Sequence, residues 1–378
     1  MPFCFHKCHY CDFYSIVDTR DRQEAFTRRL LRELEALAPF MEPNIGTIFV
    51  GGGTPSLLRP ELWAMLLEGL DRAAGASSIE SRGGEFTVEC NPETVTPELM
   101  HTLRTGGVSR VSIGAQSFNR VHLKTLERWH DPDNVFRAVE LARRAGIERQ
   151  SMDLIFGIPG QTIDEWRNDL RLALSAGTEH ISCYGLTYEQ GTAMTARHQR
   201  GEFSRIDEDL EADMFIDTVS VLAAAGMRRY EVSNFARPGA ECRHNLAYWR
   251  QNDWLAAGPA ASGHFAGWRW KNTPRLDDYL SLDDDGFAPI TDAEPPDPRR
   301  ALIEFILTGL RLAEGIDENQ FLERAGSVDP AIRRRWNHAA NALRGRGLLM
   351  HTPFCLSETG YLLANQVIST LSLAIDPS

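Results

Sequence analysis

The sequence predicts an α/β fold, in which a parallel sheet is wrapped by helices and followed by a smaller helical domain. Between residues 22 and 176, short apolar or β-branched runs alternate with amphipathic segments of helix length, as in βα repeats. A chain of 378 residues is too long for one small core. The stretch 287–300 is rich in proline and acid and shows no periodicity, which indicates a linker. We therefore expect a first unit over 1–286 and a C-terminal unit over 301–378.

Each element follows from a local pattern. Predicted helices at 22–38 and 60–73 have apolar positions three and four residues apart, and Thr96 before Pro97 and Thr162 before Glu165 are helix-start signals. Since the carboxyl ends of βα-barrel strands line one mouth, the polar and glycine-bearing turns after them should meet there. The predicted strands are 46–50, 85–90, 108–115, 150–156 and 180–187. The C-terminal unit should contain helices 301–313, 317–325 and 330–345, a hairpin at 348–356 and a helix from 358, as in a winged-helix module.

Composition excludes two classes of protein. Forty Lys and Arg against 52 Asp and Glu give a net charge of −12, and no basic cluster stands apart from acidic neighbours, so nucleic acid is not an expected partner. No apolar run reaches the roughly 18 residues that a membrane span needs. We expect a cytoplasmic protein, or one peripheral to the inner face of the membrane.

Three cysteines near the N-terminus are the first functional signal. Cys4, Cys8 and Cys11 form a C-x3-C-x2-C pattern, compact enough for three thiolates to hold three irons of one [4Fe-4S] cluster. The fourth iron then has no protein ligand, and an open coordination position makes a metal site reactive. The alternative is a zinc ion with His6 or His9 as fourth ligand. We assign no role to the four dispersed cysteines, Cys90, Cys183, Cys242 and Cys355.

The chain resembles the radical S-adenosylmethionine (SAM) superfamily, in its branch of oxygen-independent coproporphyrinogen oxidases and HemW haem chaperones. The resemblance spans nearly the whole chain, and several ordered motifs are more specific than any one of them. Beyond the cysteines they are IFVGGGTPS (48–56), VECNPE (88–93), VSIGAQSF (111–118), DLIFGIPGQ (153–161) and HNLAYW (244–249).

The resemblance implies a partial (β/α)6 barrel whose [4Fe-4S] cluster binds SAM and, given an electron donor, cleaves it reductively to a 5′-deoxyadenosyl radical. Glycines at a strand end let backbone amides approach a ligand closely, and the Glu89 carboxylate suits a cationic amine or sulfonium. No catalytic side chain is assigned. The implied SAM-binding residues are Tyr10, Gly52, Gly53, Thr54, Glu89, Gln116, Arg128, Asp153 and Gly185.

One position separates the two activities in this branch. The oxidases have a further cysteine two residues after the third, where this chain has Phe13, and this favours the haem chaperone. His244 of the HNLAYW motif is then the expected axial ligand of haem, whereas the shifted His264 leaves a second ligand open. The expected partners are haem, respiratory haem proteins that receive it, and a second copy in a homodimer. The alternatives are coproporphyrinogen III decarboxylation and radical chemistry on an unrelated substrate.

The N-terminus departs from the family. Relatives have a strand before the first cysteine, whereas Met1, Pro2 and Phe3 lead directly into Cys4 here. We therefore expect a barrel without its first strand, because of a late start or a truncation, with an unpaired sheet edge and a loosely held cluster loop.

Overall fold

The computed structural model describes residues 1–281 and 285–376 and shows two sheets, each bordered by helices. The strands are β1 (Thr47–Val50), β2 (Glu85–Cys90), β3 (Arg110–Gln116), β4 (Arg149–Phe156), β5 (His180–Gly185), β6 (Arg228–Arg229), β7 (Asn234–Ala236), β8 (Ser262–Phe265), β9 (Trp268–Asn272) and β10 (Ile290–Glu294). The helices are α1 (Gln23–Leu37), α2 (Pro60–Ala74), α3 (Pro97–Thr105), α4 (Arg120–Thr125), α5 (Asp133–Arg144), α6 (Ile163–Ser175), α7 (Ala193–Gln199), α8 (Glu208–Ala224), α9 (Arg243–Trp249), α10 (Leu276–Ser281), α11 (Pro298–Gly309), α12 (Glu318–Val328), α13 (Pro330–Gly345), α14 (Glu358–Leu362) and α15 (Ala364–Ile375).

The larger sheet confirms the predicted α/β fold. Its order is β1-β2-β3-β4-β5-β7-β6, and β1 to β5 are parallel neighbours, while β7 and β6 join antiparallel. All five predicted strands form, within two residues at each boundary. Because consecutive parallel strands are connected by helices, the turns after β1 to β5 gather at one edge, as a βα barrel requires.

Helix starts are fixed by the side chains that the sequence indicated. Thr96 Oγ1 accepts a hydrogen bond from Leu99 N at 3.1 Å, and Thr162 and Glu165 form a capping box at the start of α6. Helices α2 and α6 contribute the buried Trp63 and Trp166, which are among the largest side chains of the core that the helices share with the sheet. This core therefore holds the strand ends in place.

The outer edge of the sheet is formed by β1, which in the described part of the chain pairs with β2 alone. The Met1 amine donates to Gly51 O at 2.8 Å, and Gly53 N donates to Met1 O at 2.7 Å, which is the hydrogen-bond pattern of one parallel pair opposite Gly52. The other residues of β1 have no strand partner on this side among the described residues.

The stretch predicted as a linker contains regular structure. Residues 290–294 form β10, the edge strand of a three-stranded sheet in the order β10-β9-β8, and α11 begins at Pro298. This short segment forms a strand because it hydrogen-bonds to the free edge of β9, and its own composition does not predict that pairing. Only residues 295–297 join the two elements.

The C-terminal segment has its own core, centred on Trp336 and Phe321, whose rings are 4.0 Å apart. Its helices follow the predicted pattern, and an isolated antiparallel bridge between Leu349 and Leu356 forms the base of the expected hairpin. The last helix is divided at Leu363 into α14 and α15. The unit boundaries themselves remain a prediction.

Candidate functional site

A cavity of about 1320 Å³ opens at the carboxyl ends of β1 to β5. Such a position is where a βα barrel carries its site. The cavity brings together the three N-terminal cysteines and every residue that was assigned to SAM. These lining residues are Cys4, Cys8, Cys11, Tyr10, Gly52, Gly53, Thr54, Glu89, Gln116, Arg128, Asp153 and Gly185.

The cysteine loop is held to the rest of the chain by its backbone. Thr54 N donates to Phe3 O at 2.7 Å, and His9 N donates to Leu126 O at 3.2 Å. The Thr54 hydroxyl lies 3.5 Å from the Cys4 sulfur. The cysteine loop, which was expected to be loosely held, therefore has defined hydrogen bonds to segments outside it.

The donor set fits a three-thiolate cluster. All three cysteines are free and half-buried, and in the described residues no three His, Cys, Asp or Glu side chains converge on a single ion. Three thiolates on one short loop can each bind one iron of a [4Fe-4S] cluster, whereas a zinc ion would need a fourth ligand. His6 and His9 have other contacts: His6 stacks on Trp129, and His9 Nδ1 is 3.0 Å from Arg197 Nη1.

Two half-buried carboxylates face the cavity from β2 and β4. Glu89 Oε2 accepts from Gly52 N at 3.0 Å, and both oxygens of Asp153 lie 3.0 Å from Ser112 Oγ. Burial, with Asp153 nearby, raises the pKa of Glu89 to about 7. Burial also raises the pKa of Asp153, against hydrogen bonds from Ser182 and Ser112 that lower it. A cationic ligand between them would favour the charged forms of both.

Close backbone approach explains the glycines after β1. A Cβ on Gly53 would lie 2.7 Å from Phe3 O, and Gly52 has φ +109°, which side chains rarely adopt. Gln116 also has a positive φ of 64°, at a register shift between β3 and β4. Such strain at a strand end turns the side chain away from the regular pleat and is typical of binding sites.

Arg128 and Tyr10 form the wall beside Cys8. The Arg128 guanidinium donates to Gly114 O at 3.1 Å and lies 3.7 Å from the Cys8 sulfur. Burial, together with the Cys8 and Cys11 thiols, raises the pKa of the Tyr10 hydroxyl, so it remains a neutral donor. Gly185, at the end of β5, leaves room for Glu211, whose carboxylate would be 3.1 Å from a Cβ there.

His244 does not line this cavity but a second one of about 1430 Å³ between β1 and the segment that carries α9. Its Nδ1 is 2.9 Å from Thr47 Oγ1, and its ring stacks on Phe49 with centroids 4.8 Å apart. Its Nε2 is buried without a hydrogen-bond partner in the described residues. Burial lowers the pKa of His244 to about 4, so the ring is neutral near pH 7.

Some supporting residues escaped the sequence analysis. Glu85, at the start of β2, accepts from Arg110 Nε at 2.8 Å and from His244 N at 3.3 Å, and so ties α9 to the sheet. Ser112 orients Asp153, and His130 contacts Arg128 at 3.3 Å. Ser112 lies within the VSIGAQSF motif, but no periodicity or spacing distinguishes the other two.

The fold and the three-cysteine site together define a protein of the radical SAM class. The family model of the Radical SAM superfamily matches residues 1–173. The chain is 36% identical over 377 residues to the heme chaperone HemW of Mycobacterium tuberculosis, covering 98% of this chain and 93% of the relative. It is 33% identical to the heme chaperone HemW of Bacillus subtilis, and the match covers 97% of this chain and 96% of that relative. The chain therefore belongs to the HemW haem chaperone family.

A solved structure shares the fold over the whole chain. The Escherichia coli coproporphyrinogen III oxidase HemN, described as a radical SAM enzyme, superposes with a TM-score of 0.83 and covers 100% of this chain and 88% of its own. At 19% identity this likeness concerns the fold alone. The fold is therefore common to a chaperone family and an oxidase, and the site has to distinguish them.

Proposed function

We propose that the protein is a haem chaperone that binds haem through His244 in the cavity beside β1 and delivers it to respiratory haem proteins. The observation that carries the proposal is the buried, unpartnered Nε2 of a histidine whose other nitrogen is held by Thr47. If Nδ1–H donates to the threonine hydroxyl, the lone pair on Nε2 is directed away from that bond. A histidine fixed by its second nitrogen is the usual form of a metal-ligating imidazole.

The surroundings of His244 suit a macrocycle. Phe49 stacks on one face of the imidazole, and Tyr248 meets it edge-on at 4.5 Å. The side chain of Arg243, exposed and directly before His244, has no hydrogen bond or ion pair with other described side chains, so it is available to a haem propionate.

The alternative, an oxygen-independent coproporphyrinogen III oxidase, is opposed by the charge of the cluster cavity. A porphyrinogen with a carboxylate on every ring would enter a cavity whose charged lining residues are mostly acids, and like charges there disfavour it. Phe13, which lines this cavity, also replaces the additional cysteine of the oxidases. The acidic lining residues are Asp12, Glu89, Glu93, Glu127, Asp153, Glu189, Glu208 and Glu211, against Lys7 and Arg128.

The cluster and SAM would serve the same carrier. When bound, the cluster would supply the electron and SAM the 5′-deoxyadenosyl radical, while the residues of the chain would bind, orient and shield SAM, with Glu89 and Asp153 facing its cationic groups. Three residues, Phe13, Gly52 and Glu89, line both cavities. We infer that nucleotide bound in one cavity influences haem in the other, by dimerisation or by transfer.

Delivery of haem concerns partners outside the chain. No helix among the described residues is long and apolar enough to cross a membrane. We propose that acceptors are met at the inner membrane surface by a cytoplasmic or peripheral carrier, and that a separate donor reduces the cluster.

The test is haem titration after anaerobic reconstitution with iron and sulfide. We expect His244→Ala to weaken haem binding at least tenfold and Thr47→Val to weaken it less, because only the ring orientation is lost. His264→Ala is the matched control, since both histidines are 9% exposed and His264 does not line the cavity. Equal binding by wild type and His244→Ala would refute the ligand assignment. Protoporphyrinogen formed from coproporphyrinogen would establish the oxidase instead.

A further inference from the structure

His130 lies behind the cluster loop and belongs to no motif that the proposed function uses. It is 6% exposed, on the segment 126–130 between α4 and α5, two residues after Arg128. The same segment contacts the cysteine loop at two places: His9 N donates to Leu126 O, and Trp129 stacks on His6. His130 therefore belongs to the segment that packs against the cysteine loop.

The contacts of Arg128 explain why a histidine is needed there. Arg128 Nε is 3.3 Å from His130 Nδ1, Nη2 donates to Gly114 O at 3.1 Å, and Nη1 points at the Cys8 sulfur at 3.7 Å. A guanidinium is a rigid planar fork, so fixing two of its nitrogens fixes the direction of the third. The orientation of the Arg128 Nη1 group toward the Cys8 sulfur therefore depends on a hydrogen-bond acceptor at the position of His130 Nδ1.

His130 has to be neutral to accept this bond. Burial and the Arg128 charge lower the pKa of His130 to about 3, so the ring carries no charge near pH 7. The groups around it are Arg128 and Asp131 on its own segment and the Ala115 carbonyl on β3. A protonated ring would repel Arg128 and offer it no lone pair.

We propose that His130 is a positioning residue, which orients the Arg128 guanidinium so that it donates a hydrogen bond to the cluster sulfur of Cys8. A donor to a cluster thiolate stabilises the reduced, more negative state and raises the reduction potential. His130 thereby sets how readily the cluster accepts the electron that SAM cleavage needs. This inference rests on the proposed cluster at the three cysteines, and the experiment below separates the two.

The test is the midpoint potential of the reconstituted cluster, with iron and sulfide content determined first. We expect His130→Leu to shift the midpoint to a more negative potential, and His130→Asn, whose side-chain oxygen can replace the lost acceptor, to restore it. His122→Leu is the matched control, because His122 is 3% exposed on the adjacent α4 and pairs with Glu165 rather than Arg128. An unchanged midpoint in His130→Leu, or an equal shift in His122→Leu, overturns the inference.

A second variant covers the case in which His130→Leu does not retain a cluster. Arg128→Lys keeps the charge but loses the fork, so we expect the same negative shift, and an unchanged midpoint contradicts the proposal. In the double variant the shift should equal that of Arg128→Lys alone, since His130 acts only through Arg128; additive shifts overturn it. A wild type without a cluster would instead refute the proposed cofactor site.

Discussion

Replacing Glu89 by glutamine should make the protein more stable at alkaline pH while removing its SAM binding. Its pKa rises from 4.5 to about 7 because the carboxylate is buried beside Asp153. At roughly 1.4 kcal/mol per pKa unit, the ionised side chain destabilises the folded state by about 3 kcal/mol above pH 7. The sign follows from the raised pKa: the folded state binds the proton more tightly, so stability falls as pH rises from about 4.5 to 7.

The assay is urea unfolding of Glu89→Gln and wild type at pH 4.5 and pH 8, with the cysteines kept reduced. We expect similar free energies of unfolding at pH 4.5 and an advantage of up to about 3 kcal/mol for the variant at pH 8. Glu98→Gln, at an exposed position on α3, is the control for the loss of a carboxylate. A variant less stable than wild type at pH 8, or a difference independent of pH, would refute the assignment of Glu89 as a strained carboxylate held for a cationic ligand.

The affinity for SAM should fall by up to about tenfold per pH unit below pH 7, because binding the cation then displaces a proton from Glu89. Isothermal titration calorimetry measures this affinity, and the same affinity at every pH from 5.5 to 8 would contradict the prediction. Glu85→Gln should cost about 3–5 kcal/mol in urea unfolding, since it leaves the buried Arg110 without its ion partner. Gly53→Ala should lower the iron content after reconstitution by displacing the segment before the first cluster cysteine, whereas Gly46→Ala, with nothing within 4 Å, should not.

The sequence was sufficient where a local pattern determines the structure. Strands β1 to β5 have apolar runs bounded by turn residues, and the caps at Thr96 and Thr162 act within one helical turn, so both were predicted correctly. The cavity at the mouth of the barrel also followed, because parallel strands bring their carboxyl ends together. The roles of its individual side chains remain predictions, although the structure places twelve of them in one cavity.

What the sequence could not reveal depends on contacts between distant segments. The strand β10 forms only because β9 offers an edge, and its residues are all exposed, so no hydrophobic alternation marked it. Glu85 meets His244 across 159 positions, and the neutral state of His130 depends on its burial against Arg128. Local propensity contains no information about either contact.

Phe13 lies at the boundary between the two cavities. In the sequence this residue distinguished chaperones from oxidases as a lost cysteine beside the cluster. In the structure it lines both the cluster cavity and the cavity of His244, together with Gly52 and Glu89. An exposed aromatic side chain at that boundary offers apolar surface to a planar ligand on the His244 side, which a thiol would not. We therefore expect Phe13, which stands where the oxidases have a further cysteine, to offer apolar contact to a ligand in the His244 cavity as well.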